Sequence, residues 1–375
     1  MLNSPVEREF FDAVAEGRID DVHRLVSEAP ELLQAYDNQC FGATPITRVC
    51  FSGDMEMLRL LVELGADVNR RSNWDMGPWS PLQSVVVDRR VELAEFLLAN
   101  GAEMDVHAAA GLGRVDDVVR MLDEAPERVI EPGEDGCHPL HFAESVEVAE
   151  VLLERGADIE ARCLDHYSTP VQYLADTREM VARFLFSKGA TADIFSAVMA
   201  DDRPVVESLL QQDAIVVNAR MNQQMFPPGP EHNVHNIMAF TVGTDCTPLH
   251  AAAKANRPTM VDLLVKAGAE IDVRGGYDSA APSHVAAWND SAAAIERLLK
   301  CGADINIRSG SIHNNSPAGW AIVAGSADAF ELLIDEGAEV FDWFQQDAEA
   351  AVAGEFRKFK NVPQQNYDRI LAKLK

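Results

Sequence analysis

The chain has 375 residues, 47% of them hydrophobic and 25% charged, enough to bury a sizeable core in a globular fold. Sixty acidic against thirty-two basic residues leave a formal charge of −28, which repels phosphates and anionic lipid; nucleic-acid and membrane partners are therefore not expected, and a basic partner is favoured. The six cysteines (Cys40, Cys50, Cys137, Cys163, Cys246 and Cys301) are scattered, without zinc-site pairing or disulfide density. With no basic-then-apolar leader and no apolar run of about 18 residues, the expected setting is a reducing cytoplasm.

In chain order, residues 5–36 read as an amphipathic helical cap around FFDAVAEGRIDDVHRLVSEAPE (10–31), which is echoed at 106–127 and more loosely at 195–214. Two short patterns then alternate. The first begins a helix: ATPITRVC (43–50), SPLQSVVV (80–87), HPLHFA (138–143), TPVQYLA (169–175), CTPLHAAA (246–253), APSHVAAW (281–288) and SPAGWAIV (316–323). A hydroxyl or small residue stands at the N-cap in all but HPLHFA, where it is His138, and proline follows at the first helical position, where its missing N–H costs nothing. In CTPLHAAA, Thr247 is expected to cap through its hydroxyl, and the alanine run lets a second helix approach closely.

The second pattern ends a helix: LRLLVELGADVNRR (58–71), AEFLLANGAEMDV (94–106), AEVLLERGADIEAR (149–162), VDLLVKAGAEIDVR (261–274), IERLLKCGADINIR (295–308) and FELLIDEGAEVFD (330–342). Its glycine supplies the left-handed residue past the helix end. The glycines recur at near-constant intervals: Gly156 and Gly189 are 33 residues apart, Gly268 and Gly302 are 34, and Gly302 and Gly337 are 35. The unit at 138–162 is short, so a clipped first helix is expected there. Residues 341–375 read as a helical C-terminal cap with a basic patch, Arg357, Lys358, Lys360, Arg369, Lys373 and Lys375.

The Thr-Pro-Leu-His element at Thr247–His250, the Gly-Ala-Asp turns at Gly65, Gly156 and Gly302, and their shared period resemble the ankyrin repeat family. The resemblance covers about 340 residues and implies an all-α solenoid of stacked helix-turn-helix units with a concave groove. Each unit cannot bury its apolar faces alone, so neighbours must stack. About ten degenerate repeats are expected in one elongated domain, with an N-terminal cap at 5–36, repeats over 40–340 and a C-terminal cap at 341–375.

In such stacks the turn tips and the outer ends of the first helices line the groove that meets partners. By position the resemblance places Phe41, Phe51, Trp79, Asp88, His166, Tyr167, Asp176, Lys254, Tyr277, Asp278, Trp288, Asn289, His313 and Asn314 on that surface; Trp320, inside PAGW, is expected to be buried. His141, His250 and His284 fall in the motif position where the family's histidine hydrogen-bonds neighbouring turns, so they read as structural.

The rhythm breaks at 221–243, MNQQMFPPGPEHNVHNIMAFTVG. This insertion sits at a turn tip and carries Phe226, other apolar residues and the pair His232 and His235, with Asp245 just beyond. It shows no helical period and is expected to fold back over the groove. A metal site from H-x-x-H plus a carboxylate is chemically possible, but a loop does not fix the geometry, so no metal, cofactor or catalytic residue is assigned. No nucleophile elbow, phosphate loop or dinucleotide fingerprint occurs. The chain therefore reads as a module binding a basic protein through an acidic, aromatic-lined face. The alternative is an enzyme or small-ligand binder whose site under the insertion uses His166, His232, His235, Asp245, Tyr277 and His313.

Overall fold

The computed structural model describes residues 3–227, 236–310, 315–353 and 362–375; among these there is no β-strand, only the isolated bridges Asp37–Ala43 and Gly275–Ala280. The architecture is an all-α solenoid built from helix pairs. The chain forms two compact units: the first takes most of the sequence up to Leu174 together with Ser187–Ala190, and the second takes Ala175–Phe186 and most of the sequence from Thr191 onward.

In the first unit the leading helices Pro5–Ala15, Pro45–Ser52, Pro81–Val87 and Val106–Gly111 pack one on the next. Ser4 opens the first of them with a reciprocal cap: its Oγ accepts from the Glu7 amide at 3.3 Å and its own amide donates to Glu7 Oε2 at 2.7 Å. At the short unit the expected clipping is present, with only the 3-10 turn Pro139–Phe142 before Val146–Glu154. In the second unit Ile194–Met199, Pro248–Lys254, Pro282–Trp288 and Pro317–Ala324 stack in the same way, backed by Pro258–Lys266, Ala292–Lys300 and Ala327–Asp335. Trp343–Val352 and Gln364–Leu374 close that unit, burying Phe344 against Phe330 at 6.4 Å between ring centroids and burying Ile370 completely. From the basic tail, Arg369 reaches Asp328 at 2.7 Å and Glu331 at 2.8 Å, and Lys373 reaches Asp335 at 2.6 Å. Arg357, Lys358 and Lys360 lie outside the described residues.

One hydrogen-bond device joins successive units. His250 Nδ1 accepts from its own N-cap amide, Thr247 N, at 3.1 Å, and Nε2 donates to the carbonyl of Ala280 in the next turn at 3.1 Å. His284 repeats this with Ala281 N at 3.1 Å and Asn315 O at 2.9 Å. His141 does the same with His138 N at 3.1 Å and Ser168 O at 3.1 Å. Because Nδ1 must accept, each ring is the neutral tautomer with its proton on Nε2. The Thr247 hydroxyl differs from the sequence expectation: it lies 2.9 Å from His250 Nδ1 and makes no bond to the helix amides. Elsewhere the hydroxyl cap forms as expected, as at Thr44, Ser80 and Ser316.

Burial of all three rings pulls their pKa down from 6.5 to about 4. A fall of that size corresponds to roughly 3 kcal/mol per histidine. Since the native pKa is depressed, this contribution is complete above about pH 6.5 and drains as pH falls towards 4, where the native ring also takes a proton. Glutamine occupies the same position in two units, where Gln83 and Gln172 accept from the amides of Ser80 and Thr169 through Oε1 at 3.3 and 3.1 Å. The His250→Gln variant should therefore stay within about 1 kcal/mol of wild type at pH 7 and lose about 2–3 kcal/mol less between pH 7 and 4.5, read from urea midpoints. Equal acid slopes in the two proteins would refute the assignment.

Candidate functional site

The second unit carries an apolar cavity of about 580 Å³. Its back wall comes from one face of three consecutive leading helices. Counting from the helix-opening prolines Pro248, Pro282 and Pro317, the lining side chains stand three residues on (Val285, Trp320) or six residues on (Lys254, Trp288, Val323). Residues three apart share a helix face, and the histidine bridges hold successive helices in one register, so these positions form rows.

The turn before Pro282 supplies a second wall with Gly276, Tyr277 and Ala280. Gly276 adopts φ +64°, and a Cβ there would come within 2.8 Å of Cys246 Sγ, so the turn approaches the cavity closely only because this residue is glycine. Tyr277 is exposed, Trp288 and Trp320 are half-buried, and the rings meet at angles: Tyr277 and Trp320 lie 6.4 Å apart at 58°, and Trp288 and Trp320 5.8 Å apart at 74°. Polar atoms are few. Lys254 Nζ is held by Asp176 Oδ2 at 2.8 Å, and burial, helped by the Asp245 charge, pushes the Cys246 thiol up to about 12, so it is no nucleophile.

The third wall is the far end of the insertion, Phe240 to Gly243. Contrary to its aperiodic sequence, residues Ile237–Thr241 form a helical turn capped by Asn236, whose side chain accepts from the Met238 amide at 3.0 Å. Met238 is fully buried and Phe240 is 62% exposed beside the cavity. At the near end Met221 is buried, exchanging backbone hydrogen bonds with Asp245 at 2.7 Å and Cys246 at 2.8 Å.

The sequence-derived residues separate into groups. Tyr277 and Trp288 share the cavity. Asp278 is a turn residue whose Oδ2 accepts from Ser309 Oγ at 2.9 Å, and Asp245 is exposed beside Arg220 at 3.5 Å. Phe226 packs on Phe195, 6.1 Å between centroids. His232, His235, His313 and Asn314 lie outside the described residues.

In the first unit, Trp79 is only 3% exposed and packs against Phe51 at 5.8 Å and Phe41 at 6.3 Å, so it serves the core and presents no surface to a partner. Phe51 is half-buried, and Tyr167 lies under the Arg162 guanidinium at 5.0 Å. His166 stands beside Asp135 and Asp165, where burial, followed by the Asp165 charge, lifts the Asp135 carboxyl to about 7. Nearby are the buried thiols of Cys137 and Cys163, and the influence of Cys137 first of all draws Cys163 down to about 7; its sulfur accepts from the Ser168 amide at 3.4 Å and the Tyr173 hydroxyl at 3.5 Å. The linear spacing of these cysteines gave no hint of the pairing.

Of the cavity's aromatic residues, sequence reasoning named Phe240 only among the apolar residues of the insertion and placed Trp320 inside. Trp320 was expected inside because it follows a helix start. Aligning by proline puts it in register with Val285, while Gly319 takes the histidine position; a Cβ on Gly319 would come within 1.9 Å of Asn315 Oδ1, which accepts from the Ser316 amide at 2.9 Å as a histidine nitrogen does elsewhere. If Met238 anchors the third wall, Met238→Ala should loosen it locally. Proteolytic cleavage within 236–243 should rise at least about tenfold, in line with about 2–4 kcal/mol for an emptied methionine site; an unchanged rate would show that the turn is held by other contacts.

Two family models match the chain: one described as ankyrin repeats in three copies, over residues 10–108 and 194–309, and one described as a single ankyrin repeat, over residues 135–164. Similar curated proteins include human transient receptor potential cation channel subfamily A member 1, 26% identical over 321 residues that make up 80% of this chain and 28% of that protein. Human protein phosphatase 1 regulatory subunit 27 is 28% identical over 96 residues, 26% of this chain and 59% of the relative. Alpha-latrocrustotoxin-Lt1a of Latrodectus tredecimguttatus is 27% identical over 141 residues, 35% of this chain and 8% of the toxin. In each case the chain spans less than two thirds of the relative. Among the described residues no helix is long and apolar enough to cross a membrane.

Proposed function

The chain belongs to the ankyrin-repeat family, and from that premise we propose that its second unit captures a protein partner by taking an apolar anchor side chain into the cavity walled by Phe240, Tyr277, Trp288 and Trp320. Ankyrin repeats are in general protein–protein interaction modules. The observation that carries this assignment is the cavity itself: large aromatic groups stand half-open around about 580 Å³ of apolar space where a close-packed repeat would have filled it. Trp and Tyr dominate interface hot spots because they give large contact area at small entropic cost. The formal charge of −28 favours a basic partner, whose encounter is accelerated at low salt.

A small ligand is the second reading, favoured by the cavity's volume, which falls within the usual range of ligand pockets. Capture of partners from an extract of the source cells distinguishes the two when repeated with Trp288→Ala, Tyr277→Ala and, as a control in the first unit, Phe51→Ala. Under the protein-binding reading the first two variants lose the captured protein by at least about tenfold, the control retains it, and recovery falls with added salt. Equal capture by all variants would remove the cavity from partner binding. A small molecule found on the wild-type protein by native mass spectrometry, and missing from Trp288→Ala, would move the assignment to the ligand reading.

A further inference from the structure

Two turn tips of the first unit bring together side chains that lie 30 residues apart or more. Asp135 sits at its tip in the left-handed region, φ +54°, and its carbonyl accepts from the amides of Leu164 at 2.9 Å and Asp165 at 3.1 Å. That double bond fixes the turn 163–167 against the turn 133–137. As a result His166 Nε2 lies 3.5 Å from Asp165 Oδ2 and 3.9 Å from Asp135 Oδ2, and one ligand atom from each of the three residues falls within 4.8 Å of the others. The three side chains are only 22%, 13% and 13% exposed for Asp135, Asp165 and His166 respectively. A tetrahedral ion with bonds of about 2.1 Å holds its ligand atoms about 3.4 Å apart, so separations of 3.5 and 3.9 Å, and at most 4.8 Å for the third pair, are within side-chain adjustment of sharing one.

What the site lacks, among the described residues, is a lysine or arginine. Two other carboxylates of this unit have an arginine: Asp37 faces Arg48 at 3.2 Å and Asp105 faces Arg71 at 3.4 Å. Among the described residues, Asp135 and Asp165 have no lysine or arginine within ion-pair reach. The Trp74 indole N–H approaches the Asp135 carboxyl without completing a hydrogen bond. The neighbouring Glu134 adds a third acidic group, and its Oε2 is buried without a partner. Carboxylates confined together are costly unless compensated, and a divalent cation ligated by the neutral His166 ring compensates both at once.

We propose that Asp135, Asp165 and His166 bind one divalent transition-metal ion of the zinc type, leaving a fourth position for water, and that the ion clips two successive turns together. One imidazole nitrogen with two carboxylate oxygens suits Zn²⁺, whereas Mg²⁺ and Ca²⁺ favour all-oxygen sets. A bound ion that contacts only the folded form adds to its stability by mass action.

The test uses the full chain, stripped with chelator and kept reduced, titrated calorimetrically with zinc sulfate alone. The expected result is one equivalent bound, a thermal midpoint raised by about 5 °C or more at hundredfold excess over Kd, and at least about tenfold weaker binding in Asp135→Asn, Asp165→Asn and His166→Gln. Asparagine tolerates the left-handed tip at 135, and circular dichroism shows whether each variant keeps its helices; a variant that loses them is replaced in the comparison by the other two. The double variant Cys137→Ser with Cys163→Ser separates the neighbouring thiols: it should bind as wild type, and the Co²⁺-substituted protein should lack an intense thiolate charge-transfer band. No binding by wild type, unchanged binding after Asp135→Asn, or binding lost only with the thiols would each overturn the site.

Discussion

The histidine at the third position of a leading helix is the constraint on which the repeat geometry rests. Its Nδ1 takes the amide of its own N-cap and its Nε2–H takes a carbonyl one repeat further on. A single side chain therefore sets both where the helix begins and how far it lies from the next. The ring can do this only when neutral, and only inside the stack, where both partners are dry and fixed. The helix pairs contribute most of the buried apolar area, but area is non-directional. The histidine supplies direction.

Where the chain departs from histidine it substitutes other groups for the same bond. Gln83 and Gln172 accept from the N-cap amide through a side-chain amide, and Asn315 does so from a position before the helix, next to Gly319. The last exchange has a consequence for the cavity. With no ring at position 319, Asn315 folds into that space, and both Asn315 and Trp320 face the opening. The open aromatic wall thus follows from local variation on the repeat, while the helix register that aligns Trp320 with Val285 is unchanged.

The two units use their polar residues differently. In the second, Lys254 on the cavity wall is compensated by Asp176, and Arg220 by Asp245 and backbone carbonyls. In the first, the turns 133–137 and 163–167 gather Glu134, Asp135, Asp165 and His166 beside the buried thiols of Cys137 and Cys163, among the described residues without a lysine or arginine on Asp135 or Asp165. Partly buried carboxylates without a lysine or arginine are costly, and such groups concentrate at ligand and functional sites.

The repeat family, most helix starts and ends, the clipped unit and the structural role of His141, His250 and His284 were legible in the sequence, because proline, glycine and the N-cap hydroxyls act through the backbone of their immediate neighbours. So was the placing of Tyr277 and Trp288 near one another, which needs only the repeat period. The sequence could not show that Trp79, in the turn before one helix, is buried while Trp320, inside another, is half-open, because exposure depends on what packs above each ring. Nor could it show that residues 237–241 make a helical turn, a segment too short to form alone and held by the buried Met238. The meeting of Asp135 with Asp165 and His166 and of Cys137 with Cys163 was likewise decided by tertiary structure: two backbone hydrogen bonds between turns close a gap that linear spacing does not measure.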